Sequence, residues 1–391
     1  MKAAYEAGGE EECKRLLERK RDEWKNLPLN VAVTGKAGAG KSFFINVIRG
    51  LTADDEGAAA VGVTETTTKP RSYPHPDNPK LLFWDLPGVG TDKFPRETYL
   101  TDIDVDRYDF FLLITDTRFM QNDAWLGEEF RKRNKKYFFV RTKTEQDVTS
   151  DSEAHPKTHS EEAVLKRIRE STTEILREHG FDDVPVFLID NCKPTKFDFE
   201  RLKLQLIEDF PVLKKSALIF SLQASSEQMI RLKVAALRSR IRKIVKLVNK
   251  FAFLSLYILD LRGCVDLPIV FDEAKFYFEQ LCIDNKSLQR YADVYSVDYD
   301  KLRSIVSIAL DIREEDVVTE NMSNILAYMY KRTIGSHPSV KKSVSVGSTI
   351  AMPFRRDRVA YQALTLVLGK FEEAAIEVSK CVWADSMASF E

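Results

Sequence analysis

One glycine-rich run near the start of the chain restricts its possible folds more than any other feature. Gly35 to Ser42 read Gly-Lys-Ala-Gly-Ala-Gly-Lys-Ser, with the spacing Gly-x-x-x-x-Gly-Lys-Ser. In this pattern the glycines let backbone N–H groups turn inward around phosphate oxygens. The lysine reaches the β and γ oxygens, and the serine hydroxyl meets Mg²⁺ at a helix N-terminus. The run therefore predicts a nucleoside triphosphate site.

The residues on either side of the run provide the strand and the helix that such a loop requires. Asn30 to Thr34 have the apolar pattern of a short buried parallel strand, and Ser42 to Arg49 carry apolar residues at helical spacing. A strand, a loop and a helix in that order favour a phosphate loop over a simple glycine turn.

The length and composition of the chain limit its class. Its 391 residues are enough for two or three domains. The formal net charge is −1, so no global field favours nucleic acid, and we expect no nucleic-acid partner. The five cysteines are odd in number and widely spaced, and the five histidines show no metal-binding spacing. We therefore expect free thiols in a reducing compartment.

The ends of the sequence carry no targeting pattern. The first residues lack a signal peptide, position 2 is lysine and not the glycine that myristoylation needs, and the C-terminal Ala-Ser-Phe-Glu is not a prenylation motif. The longest apolar run, Phe251 to Leu259, is too short to span a membrane. We expect a cytoplasmic protein, peripheral on intracellular membranes only through its folded surface.

The order of strand-like and helical stretches indicates a doubly wound α/β sheet followed by an all-α domain. One helix is well delimited, with Ser160 able to cap its start and Gly180 able to close its end. From about residue 200 onward the strand pattern stops and helical periodicity dominates. The five predicted strands lie at residues 30–34, 81–85, 109–114, 137–141 and 186–189.

The first motif after the phosphate loop favours a GTPase over an ATPase. Asp85-Leu-Pro-Gly follows an apolar strand and supplies a carboxylate for the Mg²⁺ side and, in Gly88, an N–H group for the γ-phosphate. An ATPase more often places a glutamate directly after the aspartate to polarise water. Leu86 cannot do this, so ATP is the less favoured substrate.

A stretch rich in hydroxyl groups lies between these two motifs. Residues 63–68 read Val-Thr-Glu-Thr-Thr-Thr, which is typical of a first switch whose threonine closes over Mg²⁺ and the γ-phosphate. Thr67 is the preferred candidate, and Thr66 and Thr64 are alternatives. A strand-forming edge segment is the structural alternative for the whole stretch.

The segment that would recognise the base departs from the usual pattern. Guanine is normally read by Asn/Thr-Lys-x-Asp, whose carboxylate accepts the N1 and N2 hydrogens, whereas residues 142–145 read Thr-Lys-Thr-Glu. Glu145 is one methylene longer than aspartate. It can accept both hydrogens if the loop sits back slightly, or Asp147 can approach instead. Lys143 would pack along the base, and the loop 190–192 would offer N–H groups to guanine O6.

Several of these segments together resemble the immunity-related GTPases, the interferon-inducible family of vertebrates and their relatives in other animals. The resemblance covers residues 30 to about 200, and the pairing of a tryptophan with Asp-Leu-Pro-Gly is quite specific. The matching segments are Val31-Ala-Val-Thr-Gly-Lys-Ala-Gly-Ala-Gly-Lys-Ser, Glu56-Gly-Ala-Ala-Ala-Val-Gly-Val, Tyr73-Pro-His-Pro, Phe83-Trp-Asp-Leu-Pro-Gly-Val-Gly, Tyr108, Thr117-Arg-Phe and Tyr137-Phe-Phe-Val-Arg-Thr-Lys.

This resemblance implies a Ras-like G domain together with an all-α domain formed by the C-terminal half and the N-terminal helix. The expected divisions are an N-terminal helical segment at 1–27, the GTPase domain at 28–200 and the C-terminal domain at 201–391. It also implies GTP-dependent self-assembly and action at internal or pathogen-containing membranes. The Gly-Lys-Ser ending of the phosphate loop is similar to that of hydrolysing effectors rather than regulators. Glu145 and the missing myristoylation glycine depart from the family pattern.

The second switch lacks the usual residue for orienting water. Ras-like switches place a glutamine just after Asp-x-x-Gly, whereas this chain has Val89. Turnover should therefore be slow until another group completes the site, which the resemblance implies is a second copy of the G domain. Glu65 is a candidate for orienting water or for crossing the dimer, or is simply a solvated carboxylate. Arg118 and Arg49 are candidate cations in trans, or ordinary surface arginines.

A basic amphipathic helix is predicted over residues 230–250. Apolar residues recur at helical spacing, and the cationic residues between them are accompanied by no acidic residue. Such a helix can bind anionic lipid or a partner, but within an all-α domain it more often packs its apolar stripe inside. The following run, Phe251 to Leu261, is expected in the core.

The sequence thus predicts a Mg²⁺-dependent GTPase that binds GTP and GDP and dimerises through its G domain when GTP is bound. The alternative is a poorly hydrolysing nucleotide-binding scaffold that recruits partners through its helical domain. The predicted catalytic residues are Lys41, Glu65, Thr67 and Gly88, and the predicted metal ligands are Ser42, Thr67 and Asp85. The predicted nucleotide-binding residues are Gly35, Lys36, Ala37, Gly38, Ala39, Gly40, Lys41, Ser42, Phe43, Thr142, Lys143, Glu145, Asp190, Asn191 and Cys192.

Overall fold

The computed structural model describes most of the chain as two compact units. One unit is Trp24–Leu222, and the other combines Met1–Glu23 with Gln223–Ser389. Most of the predicted N-terminal helix lies outside the described residues, and so do Thr64, Glu65, Thr66 and Arg118. The described residues are 23–62, 67, 69–90, 94–116, 120–258, 266–313 and 353–388, with the single positions 7, 8, 12, 15, 16, 19, 317 and 325.

Within the described residues, the first unit contains one six-stranded sheet. The strands lie in the order β2-β3-β1-β4-β5-β6, and all neighbours are parallel except β2 and β3. The five strands predicted from the sequence are the five parallel ones, which confirms the α/β class. The strands are β1 (Leu29–Gly35), β2 (Arg71–His75), β3 (Asn78–Asp85), β4 (Phe110–Thr115), β5 (Lys136–Arg141) and β6 (Val186–Leu188).

The burial of each strand explains why its sequence predicted β4 but did not predict β2. All six residues of β4 are buried, because an interior strand covered on both faces becomes a continuous apolar run. Strand β2 is a short edge strand in which only Tyr73 and His75 are buried. It also contains Pro74, which is tolerated at an edge because it need not donate to a further strand. Its sequence therefore resembles a loop.

Seven α-helices are described in the first unit, and one of them has the ends that the sequence predicted. Ser160 Oγ accepts a hydrogen bond from Ala163 N–H at 3.3 Å before α5, and Gly180 follows its last turn with φ +75°. The helices are α1 (Lys41–Ile48), α2 (Arg96–Asp102), α3 (Gln121–Lys132), α4 (Thr144–Ala154), α5 (Glu161–Glu178), α6 (Phe199–Asp209) and α7 (Val212–Ser221).

The first unit extends about one helical hairpin beyond the predicted boundary at residue 200. Phe210, between α6 and α7, stacks on Phe110 of β4 with ring centroids 5.6 Å apart. Ser221 at the end of α7 accepts a hydrogen bond from Asn78 of β3 at 3.0 Å. Helical periodicity indicates that a helix has an apolar face but not which core covers that face, so the sequence placed these helices with the second domain.

The second unit is all-α in its described residues, as predicted. The apolar stripe of α8 is buried, including Ile230, Val234, Leu237 and Ile241. The packing interpretation of the basic helix therefore holds for this stripe, while the side chains of Phe251 to Leu261 lie outside the described residues. No helix in the described ranges is both long and apolar enough to cross a membrane. The helices are α8 (Glu227–Ile258), α9 (Asp266–Gln280), α10 (Asn285–Tyr295), α11 (Tyr299–Leu310) and α12 (Pro353–Ala388).

The parallel strands of the first unit bring the motifs together. Strand β1 ends in the phosphate loop, β3 ends at Asp85, β5 is followed by Thr142, and β6 is followed by Asp190. Because the carboxyl ends of parallel strands lie at one edge of a sheet, segments far apart in sequence meet there.

Candidate functional site

The phosphate loop has a backbone that only glycine accommodates at its two ends. Gly35 has φ +133°, and a Cβ atom there would lie 1.9 Å from the carbonyl oxygen of Ile114 in β4. Gly40 has φ +83° and forms the N-cap of α1. These conformations are strained for residues with a side chain. No side chain therefore covers the loop backbone at these two positions. The loop leads into the N-terminus of α1, where phosphate binding is favoured.

The lysine of the loop is held across it. Lys41 is only 7% exposed, and its Nζ donates to the carbonyl oxygens of Gly35 and Lys36, each at 3.0 Å. These carbonyl oxygens are neutral, so the two hydrogen bonds do not cancel the positive charge of the ammonium group. It is therefore placed to attract the phosphate groups of a nucleotide.

A buried carboxylate collects the hydroxyl groups that were predicted to bind a metal. Ser42 Oγ and Thr67 Oγ1 donate to Asp85 Oδ2 at 2.6 and 2.9 Å. Asp85 is 1% exposed, and its Oδ1 atom has no hydrogen-bond partner among the described residues. Burial raises the pKa of Asp85, which the Ser42 hydroxyl, the Lys41 charge and the Thr67 hydroxyl partly oppose.

This oxygen set fits a small hard cation. Carboxylate and hydroxyl oxygens are the ligands that Mg²⁺ prefers, with the remaining positions filled by water and phosphate oxygens. The buried, unsatisfied oxygen of Asp85 would gain a partner from such an ion or its water. Among the described residues no group of three or more His, Cys, Asp or Glu side chains is placed to hold a metal ion.

The second switch begins directly against the phosphate loop. A Cβ atom on Gly88 would lie 3.4 Å from the backbone nitrogen of Ala37 and 3.5 Å from the carbonyl oxygen of Gly35. Val89 is buried in the apolar core of the unit, so its side chain does not face the cleft. The cleft, of about 170 Å³, is lined by Ala37, Gly38, Gly40, Lys41, Ser42, Phe43, Val61, Gly62, Thr67 and Gly88.

Two residues predicted to bind the nucleotide are hydrogen-bonded to the phosphate loop. Thr142 Oγ1 donates to the carbonyl oxygen of Ala39 at 2.8 Å, and Asn191 Nδ2 donates to that of Gly40 at 3.1 Å. The Cys192 N–H donates to Asp190 Oδ1 at 2.9 Å. These contacts join the segments after β5 and β6 to the loop after β1.

Glu145, the predicted reader of the base, is paired with two lysines that the sequence analysis did not assign. Lys193 Nζ and Lys196 Nζ lie 2.7 and 2.8 Å from its two carboxylate oxygens. Burial by itself would raise the pKa of Glu145, but the hydrogen bonds from the two lysines lower it overall. The backbone N–H of Glu145 donates to Asp190 Oδ2 at 3.2 Å. The carboxylate is therefore charged and held in one place.

The other acidic residue considered for the base is engaged elsewhere. Asp147 Oδ2 accepts from Arg141 Nη2 at 2.7 Å. Lys143 has φ +58° and its Nζ pairs with Asp116 Oδ2 at 2.9 Å. Asp116 comes directly after β4 and therefore lies at the same edge of the sheet as the other motifs. The sequence analysis overlooked this signal.

Arg49 is not available as a cation for a neighbouring molecule, so that candidate was wrong. It is buried, and its guanidinium donates to the carbonyl oxygens of Pro74 at 2.9 Å and Gly57 at 3.1 Å. It stabilises the contact between the end of α1 and β2. The sequence showed only an arginine at the end of a helix, which is usually exposed.

Comparison with known proteins identifies relatives over most of the chain. The pattern of the Interferon-inducible GTPase (IIGP) family matches residues 11–363. Interferon-inducible GTPase 1 of Mus musculus is 35% identical over 76% of this chain and 72% of that protein. Interferon-inducible GTPase 5 of Rattus norvegicus is 32% identical over 81% of this chain and 69% of that protein.

Other matches are more partial. T-cell-specific guanine nucleotide triphosphate-binding protein 2 of Mus musculus is 39% identical over 58% of this chain and 54% of that protein. A crystal structure of S. thermophilus NFeoB aligns with a TM-score of 0.31 and 15% identity over 63% of this chain and 90% of that chain. Because that score is low, the strand order and the phosphate loop define the fold, and the alignment does not.

Proposed function

The chain belongs to the interferon-inducible GTPase family and is a GTP-binding immunity GTPase, and we propose that a second copy completes its active site. Lys41 neutralises the β and γ phosphates, and the N–H groups of the loop and of α1 bind their oxygens. The Gly88 N–H group meets the γ-phosphate. The observation that carries these assignments is the convergence of Ser42 and Thr67 on buried Asp85 beside the phosphate loop.

Mg²⁺ is the cofactor that this oxygen set supports, with Ser42 and Thr67 as ligands and Asp85 on the same side. When bound, it would neutralise negative charge on the phosphate oxygens. Asp85 orients both hydroxyls before nucleotide arrives, since both donate to its Oδ2 atom. Glu145 accepts guanine hydrogens, and its two lysines hold it in the charged form that this requires.

Dimerisation is proposed because Val89 stands where Ras-like switches place the glutamine that orients water. Val89 is buried in the core and has no polar group. Two large apolar side chains of this unit are exposed, Val61 at 48%, which lines the cleft, and Met120 at 52%, which precedes α3. They would be covered when the G domains of two copies meet. Glu65 and Arg118 keep their proposed roles across that contact, although both lie outside the described residues.

Phosphate release per molecule is therefore expected to rise about tenfold or more as protein concentration is raised, because a partner supplies the missing group. The measurement is phosphate release from GTP over a wide range of protein concentration, with and without a chelator of Mg²⁺. The chelator should abolish release at every concentration. A rate per molecule that stays constant across the range would contradict completion by a second copy.

The second candidate is a nucleotide-binding scaffold that hydrolyses poorly. The burial of Val89 favours it as well, because a site that no partner completes would bind GTP and turn it over slowly. Tight GTP binding, together with a low rate of phosphate release per molecule that stays constant with protein concentration, would support the scaffold.

We also propose that the protein acts at membranes, which the outer face of α8 supports. Arg242, Lys243 and Lys246 are exposed there, and none of them forms an ion pair within the described part of the chain. Clustered cations near an anionic lipid surface each contribute about 1 kcal/mol. We therefore assign this face, defined by these three residues, to membrane contact.

Replacing all three cations with serine is expected to weaken binding to vesicles containing anionic lipid roughly 100-fold, from about 3 kcal/mol in total. Co-sedimentation with such vesicles is the measurement. The control replaces Lys275 and Lys380, which are exposed lysines of the same unit already paired with glutamates. If the control weakens sedimentation as much, binding depends on net charge and the face has no special role.

A further inference from the structure

A tyrosine hydroxyl connects the phosphate-loop strand to the second switch. Tyr99 of α2 is completely buried. Its hydroxyl lies 2.7 Å from Thr34 Oγ1, the residue before the phosphate loop, and 2.9 Å from the carbonyl oxygen of Pro87. Burial raises the pKa of Tyr99, so the hydroxyl stays neutral and keeps its one hydrogen.

The direction of these hydrogen bonds follows from their chemistry. The Pro87 carbonyl can only accept, so Tyr99 donates its single hydrogen to Pro87. The Tyr99 oxygen must then accept from Thr34, whose hydroxyl is the donor. The result is one chain that runs from Thr34 to Tyr99 to Pro87, within a site where the low local dielectric strengthens each bond.

The Pro87 carbonyl belongs to the same peptide unit as the Gly88 N–H group. A trans peptide is planar, and its C=O and N–H point in opposite directions. The structure contains no cis peptide bond among the described residues. Holding the Pro87 oxygen toward Tyr99 therefore directs the Gly88 N–H away from Tyr99. Gly88 itself borders the phosphate loop at Ala37 and lines the cleft.

A second contact holds the other end of the same segment. Asn122 Nδ2 of α3 donates to the carbonyl oxygen of Val89 at 3.0 Å. The Leu86 N–H also donates to the Val33 carbonyl oxygen of β1 at 3.0 Å. The peptide carrying the Gly88 N–H therefore lies between two anchored residues, and Tyr99 is the side chain that sets its rotation.

We propose that Tyr99 is a positioning residue that aims the Gly88 N–H at the terminal phosphate and so sets the preference of the site for GTP over GDP. The inference rests on the proposed role of Gly88. GDP has no terminal phosphate at this point, so its affinity does not depend on Tyr99. Thr34 acts through Tyr99, because it fixes the hydroxyl without touching the switch.

The test compares full-length Tyr99→Phe with wild type for binding of GDP and of a non-hydrolysable GTP analogue. The variant removes one hydroxyl and leaves the ring in place. The analogue is expected to bind about threefold to tenfold more weakly while GDP binding is unchanged, as for the loss of one hydrogen bond. Thr34→Val is expected to move the same ratio in the same direction by a smaller factor.

Tyr108→Phe is the matched control. Tyr108 is buried in the same apolar cluster, and its hydroxyl donates to the carbonyl oxygen of Ile103 at 2.9 Å, away from the second switch. This control should leave the ratio of the two affinities unchanged. The inference is overturned if Tyr99→Phe leaves the ratio unchanged, lowers both affinities equally, or acts no more strongly than Tyr108→Phe.

The binding ratio separates this inference from the proposed function. Both affinities are measured without turnover, so a wild-type chain that binds both nucleotides but releases no phosphate would contradict the proposed hydrolysis alone. A shift in the ratio on Tyr99→Phe would still support the positioning role in that case.

Discussion

Replacing Lys41 with alanine is expected to weaken GTP binding roughly 1000-fold. A lysine charge about 4 Å from a phosphate charge contributes about 4 kcal/mol at an effective dielectric constant of about 20. Lys41 is nearly buried, and its hydrogen bonds to two carbonyl oxygens of the loop fix its charge there. The measurement is titration with a fluorescent GTP analogue.

The control for this variant is Lys80→Ala. Lys80 is an exposed residue of β3, outside the site, so removing it changes the net charge equally and should leave the affinity unchanged. An affinity of Lys41→Ala within about threefold of wild type would show that the phosphates bind elsewhere, and the assignment of the loop would be lost.

Replacing Glu145 with glutamine is expected to change which base the site prefers. Guanine offers two N–H groups to a carboxylate, and hydrogen bonds to a charged acceptor contribute about 1.5 to 3 kcal/mol. The carboxylate of Glu145 keeps free lone pairs beside its contacts with Lys193 and Lys196, because a carboxylate has about four acceptor positions. GDP should therefore bind the variant roughly 10-fold to 100-fold more weakly.

Competition between GDP and xanthosine diphosphate measures this choice directly. Xanthine has a carbonyl oxygen where guanine has its amino group, so the new amide can donate to it and its binding should improve. Asp147→Asn is the matched control, since Asp147 is the other acidic residue near the base segment and pairs with Arg141. A larger loss of GDP affinity in Asp147→Asn than in Glu145→Gln would assign base reading to Asp147.

The sequence predicted most of the first unit because its signals are local. A buried parallel strand is a continuous apolar run, which is how β4 and its parallel neighbours were recognised. The cap at Ser160 and the glycine at 180 depend only on residues within one helical turn, and both are confirmed. The phosphate loop likewise depends on backbone conformations that glycine alone adopts, as at Gly35.

The parts that sequence reasoning missed depend on contacts between distant residues. Strand β2 is a strand only because β3 lies beside it. Arg49 is buried only because Pro74 and Gly57 accept its hydrogen bonds. The pairing of Glu145 with Lys193 and Lys196 joins residues about fifty positions apart, and no local pattern indicates it.

The sequence by itself therefore determined the nucleotide class, the order of the parallel strands along the chain and the chemistry of the loop, since these follow from residue type and short-range spacing. Only the tertiary structure decided which groups meet: Thr67 on Asp85, Tyr99 on Pro87, and two lysines on Glu145. The physical reason is that a hydrogen bond or an ion pair forms between atoms within about 3 Å, and the approach of distant segments is decided by packing of the whole sheet rather than by the residues concerned.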